Sequence, residues 1–243
     1  MIPAGPGLSW KGYEGQDYEG FWIGAGKRYL DELERAIATD ALPGGDAIVE
    51  IGAGFGRLGR CYIERYRRVH MVEPASNLRD LAAQSYGSAA SYHEASVFNL
   101  PFANDSFDAA LMVRVFHHLG DAEGALREIH RVLKRRGRLV FNYSNKRNGA
   151  RIARYLLGRG DNPFTHGAEQ YHEALFGHHP AYVERMVART GFAIRAQYGV
   201  GVTDKLVEWA EWVGRLMPPS VRRARVIGPL RLAPAQFIVA EKR

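Results

Sequence analysis

Val49-Glu50-Ile51-Gly52-Ala53-Gly54-Phe55-Gly56-Arg57-Leu58-Gly59 is the stretch of this chain best suited to chemistry. An apolar run over 47–51 ends in a carboxylate and passes into spaced glycines. The pattern predicts a buried strand, a tight turn and then a helix over 57–66. Glycine serves where the backbone takes angles that a side chain forbids. It also serves where a ligand must lie against bare backbone. The start of the helix would offer unpaired N–H groups to polar or anionic parts of that ligand. The spacing points to a nucleoside-bearing cofactor at residues 50–57.

Glu73 ends the second predicted strand, where a carboxylate can accept hydrogen bonds from ribose hydroxyls. His117 and His118 follow the fourth predicted strand, at the sheet edge where ligands bind. Histidine can take a proton near neutral pH, so these two are the catalytic candidates. His178 and His179 precede a predicted helix and either cap it or face a substrate. Tyr18 and Trp22 stand in a dense N-terminal aromatic segment, which packs on the sheet or closes over the cofactor. Among His166, His172, His178 and His179 no acid or cysteine has ligand-like spacing, so no metal site is expected.

These residues need a scaffold. Strand patterns at 47–51, 69–73, 91–95, 109–113 and 138–143 alternate with helical patterns near 57–66, 76–86 and 121–134. Such alternation implies parallel strands with crossover helices, a doubly wound α/β sheet. A helical pattern over 17–38 precedes this core, and 42–45 reads as a turn. Residues 144–179 are polar and read as an insertion of one or two helices with loops. Further on come a helix at 180–190, a strand at 192–200, an amphipathic helix at 203–217 and a strand at 237–241. The two late strands imply an antiparallel edge hairpin.

The chain has 243 residues, 46% hydrophobic and 24% charged, which suits a soluble globular domain. No stretch approaches the length of a bilayer span, so no integral membrane association is expected. Cys61 is the single cysteine and no secretory signal is visible, so the cytoplasm is the expected compartment. The net charge of +7 is spread over several short arginine-rich runs. No aromatic-interleaved basic motif accompanies it, so nucleic acid is not an expected partner.

The glycines fit two registers. Gly54-Phe55-Gly56-Arg57-Leu58-Gly59 fits the dinucleotide fingerprint G-x-G-x-x-G. Glu50-Ile51-Gly52-Ala53-Gly54-Phe55-Gly56 resembles motif I of class I S-adenosylmethionine-dependent methyltransferases. Leu100-Pro101-Phe102-Ala103-Asn104-Asp105-Ser106-Phe107-Asp108 resembles the L-P-F-x-x-x-S-F-D run of the same family. Ala125-Leu126-Arg127-Glu128-Ile129-His130-Arg131-Val132-Leu133-Lys134, leading to Gly137-Arg138-Leu139-Val140, resembles its A-L-R-E-I-x-R-V-L-K-P-G-G-x-L segment. The resemblance covers 46–143 well and 180–200 and 234–243 loosely. It is nearest to the small-molecule branch that includes quinone-biosynthesis methyltransferases.

The resemblance implies a mostly parallel seven-stranded sheet with an antiparallel C-terminal edge hairpin. It implies S-adenosyl-L-methionine as cofactor, S-adenosyl-L-homocysteine as product and a small-molecule acceptor methylated by in-line displacement. Gly52, Ala53, Gly54 and Gly56 would pass under the cofactor, with Glu50 shaping the loop and Glu73 on the ribose. Ser96 and Val97 would flank the adenine, and Val113 and Arg114 the methionine moiety. The family often has Asp at the Ser96 position, and its Pro-Gly pair is Arg135-Arg136 here, read as a surface turn. One domain is expected: a lid at 1–40, a cofactor core at 46–143, a substrate-side insertion at 144–179 and edge elements at 180–243. The chain would act as a monomer or homodimer. An NAD-dependent oxidoreductase and a non-catalytic binding module of this fold are the alternatives.

Overall fold

β1 (Gly45–Ile51) shows why the sheet is buried on both faces: its last five residues are all inaccessible. Ala47, Val49 and Ile51 enter one apolar cluster and Ile48 the other. Alternation along the strand sends neighbours to opposite faces, so a continuous apolar run marks a strand covered on both sides. The computed structural model describes residues 20–22, 25–172, 175–200 and 232–243. Tyr18 and the expected helix at 203–217 lie outside the described residues.

In chain order the elements are α1 (Ala25–Ala41), β1, β2 (Tyr66–Val72), α2 (Ser76–Tyr86), β3 (Ser91–His93) and β4 (Phe107–Met112). Then follow α3 (Ala122–Val132), β5 (Leu133–Ser144), α4 (Gly149–Leu156), β6 (Ala168–His172), β7 (Leu175–His178), α5 (Pro180–Arg189), β8 (Phe192–Val200) and β9 (Ala235–Lys242). The main sheet has seven strands in the order β3-β2-β1-β4-β5-β9-β8. β1 to β5 pair in parallel, whereas β9 runs antiparallel to both β5 and β8. From β1 the chain winds outward to β2 and β3, then returns to place β4 on the other side of β1. That reversal opens a crevice beyond the carboxyl ends of β1 and β4, where ligands bind in open sheets.

The motif runs lock the opposite edge of the sheet, around the amino ends of β1 and β4. α3 buries Ala122, Ala125, Leu126, Ile129 and Val132, the spacing of one helix face, and Asp121 caps it by accepting from the Gly124 N–H at 2.8 Å. Its polar side clamps the loop before β4. Glu128 accepts from the Leu100 N–H at 2.8 Å, and Arg131 donates to the carbonyls of Leu100 and Phe102. Asp108 then accepts from the Asp46 and Ala47 N–H groups and from Lys134.

Three expectations need correction. The helix over 57–66 is absent. A short 3-10 turn, Gly59–Cys61, stands there, and β2 begins at Tyr66. Gly56 takes φ +80°, outside the right-handed helical region, and a Cβ on Gly59 would lie 2.6 Å from the Tyr86 ring. Second, the insertion holds one helix, α4, and a β6–β7 hairpin that the sequence pattern did not disclose. Third, Arg135-Arg136 belongs to β5. The register jumps from Phe107↔Leu133 to Ala109↔Arg138, so the pair bulges out of the strand, with Arg136 at φ +64°.

Candidate active site

Gly52 takes φ +67°, and a Cβ there would sit 2.2 Å from Val115 Cγ2. Gly54 takes φ +56°. The loop bends back at once, with Gly52 and Ala53 N–H both donating to the Val72 carbonyl and Gly56 N–H to Ala53. Glu73 completes the turn: Oε2 accepts from Gly54 N–H at 2.9 Å and Oε1 from Ala75 N–H at 3.0 Å. Its burial raises the carboxyl pKa, opposed by those two N–H groups and Arg79. Glu50 lies deeper and accepts a hydrogen bond from the Tyr62 hydroxyl. Burial pushes its pKa up to about 7, although Tyr62 and Arg57 act the other way.

This loop is not an anion cradle. The N–H groups of Gly52, Ala53, Gly54 and Gly56 are spent inside the protein, and a 3-10 turn follows in place of an α-helix. The dinucleotide register needs Gly54-x-Gly56-x-x-Gly59 to open a helix facing a pyrophosphate, and that requirement is unmet.

A charged strap crosses the loop. Arg57 donates to Asp31 and, at 2.6 Å, to Glu34 of α1, while its guanidinium lies 3.8 Å from the Trp22 ring centroid. Arg114, at φ +64° beyond β4, donates to the same Glu34, and its N–H is held by Asn142 Oδ1 at 2.7 Å. Trp22 therefore lies against both arginines, Arg57 and Arg114. Glu34, Tyr62 and Asn142 were not singled out from the sequence. Glu34 did leave a signal, because it falls on the buried stripe of Leu30, Ala38 and Ala41, where a carboxylate must be paired.

The other expected residues divide. Val97 and Val113 are buried, in the two apolar clusters. The Ser96 hydroxyl accepts from Phe98 N–H at 3.3 Å in a small turn. His117 and His118 form a 3-10 turn after β4 with Phe116, their rings 4.2 Å apart. Burial drives the His117 pKa well below the ordinary value, helped by His118, Arg114 and His178. The His178 ring packs 5.0 Å from Phe116, and burial pushes its pKa down to about 4. His179 is the N-cap residue of α5, but its side chain makes no capping bond, so helix capping does not explain it. Among the described residues no group of three metal-binding side chains converges.

The methyltransferase-domain family matches residues 49–141, which spans the glycine loop, Glu73 and both clamped runs. Residues 49–141 of this chain form a methyltransferase domain of the S-adenosylmethionine-dependent kind. An uncharacterized methyltransferase of Anoxybacillus flavithermus is 26% identical over 184 residues, 74% of this chain and 86% of that one. A demethylmenaquinone methyltransferase of Chlamydia muridarum is 31% identical over 39% of this chain, and that match covers 42% of its own length. Among solved structures, a Burkholderia thailandensis 1,6-didemethyltoxoflavin N1-methyltransferase superposes with a TM-score of 0.62. It covers 93% of this chain and 82% of its own at 17% identity, a likeness of fold. No helix among the methyltransferase's described residues is long and apolar enough to cross a membrane.

Proposed function

We propose that this methyltransferase holds S-adenosyl-L-methionine across the ends of β1, β2 and β4 and methylates a small-molecule acceptor. The observation that carries this reading is the loop's internal satisfaction: Gly52, Ala53, Gly54 and Gly56 all donate their N–H groups within the protein. A pyrophosphate would need those donors, and a nucleoside with a sulfonium side chain does not. The bound 1,6-didemethyltoxoflavin and S-adenosylhomocysteine of the Burkholderia protein support it.

In this reading Gly52, Ala53, Gly54 and Gly56 run beneath the amino-acid and ribose parts. Glu73 fixes the loop with one lone pair of each oxygen and offers the others to ribose hydroxyls. Glu50 and Tyr62 hold the loop from below. Ser96 and Val97 lie beside the adenine, Val113 and Arg114 beside the methionine part. Trp22 closes the site from the N-terminal side, and 144–179 form the acceptor wall.

The bound cofactor supplies an electrophilic methyl on a sulfonium whose leaving group needs no acid. The protein's work is to align the acceptor and exclude water, an effect worth about 7–11 kcal/mol in favourable cases. His117 stays neutral at pH 7, so its ring can accept a hydrogen bond from an acceptor O–H or N–H. Its depressed pKa makes it a weak base, so it orients the acceptor through a hydrogen bond and does not hold its proton. The chain is read as a cytoplasmic monomer or homodimer.

The test is a thermal-shift titration with S-adenosylmethionine, S-adenosylhomocysteine, NAD and NADP in parallel. A ligand at one hundred times its Kd adds about 2.7 kcal/mol. Shifts with the two sulfur nucleosides alone are expected, and a shift with NAD alone would overturn the reading.

A further inference from the structure

Lys146 is a lysine the fold does not fully use. Its side chain is 2% exposed, and it donates to Thr165 Oγ1 at 2.8 Å. Its nearest carboxylate oxygen, on Glu169, is 3.8 Å away, and Arg151 holds the other oxygen of that group at 2.5 Å. Arg147 follows in sequence. Its Nε is buried without a hydrogen-bond partner, and no carboxylate among the described residues pairs with it. His178 and His179 are 1% and 5% exposed, and the Nδ1 of each is also buried without a partner. Three unsatisfied buried nitrogens beside an underpaired buried ammonium are costly unless a ligand meets them.

These groups share one place. Lys146 N–H donates to the His178 carbonyl at 3.1 Å, and Asn145 bridges the same residue. They cap the carboxyl end of β5, beside the turn carrying His117. The rings of Phe116 and Tyr143 flank His178, and Phe164 lies under the Arg147 guanidinium.

We infer that Lys146, Arg147, His178 and His179 form the anchoring subsite of the methyl acceptor, and that this acceptor carries a carboxylate on an aromatic body. The inference rests on the methyltransferase reading, since it fills the acceptor side of that crevice. A guanidinium fork and an ammonium suit a carboxylate, and the imidazoles add donors or acceptors for its neighbours. Phe164, 41% exposed beside the Arg147 guanidinium, suits a planar organic body better than a bare inorganic anion.

The experiment is calorimetric titration of the full chain, saturated with S-adenosylhomocysteine, with benzoate, benzyl alcohol and inorganic phosphate. Lys146→Met and Arg147→Gln are measured beside it. Benzoate should bind at least about tenfold more tightly than either other probe, and each substitution should cost about tenfold or more. Both variants should keep their affinity for S-adenosylhomocysteine. Arg147 is only partly buried, so its variant keeps the test open should Lys146→Met fail to fold. Absent benzoate binding, equal binding of benzyl alcohol or phosphate, or undiminished benzoate binding in both variants overturns the subsite alone. A wild-type protein that binds no S-adenosylhomocysteine overturns the cofactor reading and this subsite with it.

Discussion

Glu34 and Arg114 are 80 residues apart and joined by two hydrogen bonds: Oε1 of Glu34 accepts from Nε at 2.7 Å and from Nη2 at 2.6 Å. The other oxygen of the same carboxylate takes Arg57. One fully buried acid on α1 thereby ties the glycine loop to the end of β4. Both arginines flank the crevice, and Trp22 lies over them. The N-terminal helix is coupled to the site by charge as well as by apolar packing.

Replacing Glu34 by Ala should therefore hurt both stability and binding. It would strip Arg114 of Glu34 and leave Arg57, 9% exposed, with Asp31 as its remaining carboxylate partner. Breaking a buried pair from one side costs about 3–5 kcal/mol. Urea unfolding should show a loss of that order, and the variant should bind S-adenosylhomocysteine more weakly. A loss below about 1 kcal/mol, the range of surface pairs, would show that the strap does not hold α1.

Glu73 carries a graded prediction. Glu73→Ala removes the acceptor for both Gly54 and Ala75 N–H groups, whereas Glu73→Gln keeps one carboxyl-type oxygen. Leaving a buried donor unsatisfied costs about 1–3 kcal/mol. S-adenosylhomocysteine affinity, read by calorimetry, should fall in the order wild type, Gln, Ala. Equal affinities across the three would remove Glu73 from the site.

The sequence disclosed what depends on local pattern. The apolar runs of β1 and β4, the single helix face of α3, and Pro180 opening α5 all read directly. The paired late strands β8 and β9 were also legible, because both are apolar and a long excursion separates them. The turns that stand in place of a helix after the loop were not, since Gly56 and Gly59 there lie against Tyr86, which is distant in sequence. The β6–β7 hairpin escaped for a similar reason: its polar residues are held by Asn145, Lys146 and Arg151. The glycine loop and Glu73 could be nominated from spacing alone. Glu34, Tyr62 and Lys146 act through contacts that no spacing rule encodes.

Gly52 tests the loop itself. A methyl group there meets Val115 Cγ2 at 2.2 Å in a backbone conformation that disfavours side chains. Overpacking of this kind costs about 1–3 kcal/mol, with left-handed strain added. Gly52→Ala should lower Tm, and a second change, Val115→Ala, should recover part of the loss. No recovery would mean that backbone strain, and not the contact with Val115, sets the requirement for glycine.

Glu50 makes stability depend on pH. Its carboxyl pKa is raised from 4.5 to about 7 by burial, so the folded state holds a proton that the unfolded chain releases. The stabilising contribution is complete below 4.5 and is lost as pH rises from 4.5 through 7. Above that range the ionised, buried carboxylate costs on the order of 3 kcal/mol. His178, lowered to about 4, acts oppositely, losing stability as pH falls from 6.5. Comparison with Glu50→Gln cancels that term, because His178 is present in both proteins. The Gln side chain still offers an oxygen to the Tyr62 hydroxyl. Urea unfolding of both proteins between pH 4.5 and 8 should show wild type losing stability relative to the variant by that amount. A difference that stays flat across the range would mean that Glu50 is ionised throughout, with its charge balanced inside the fold.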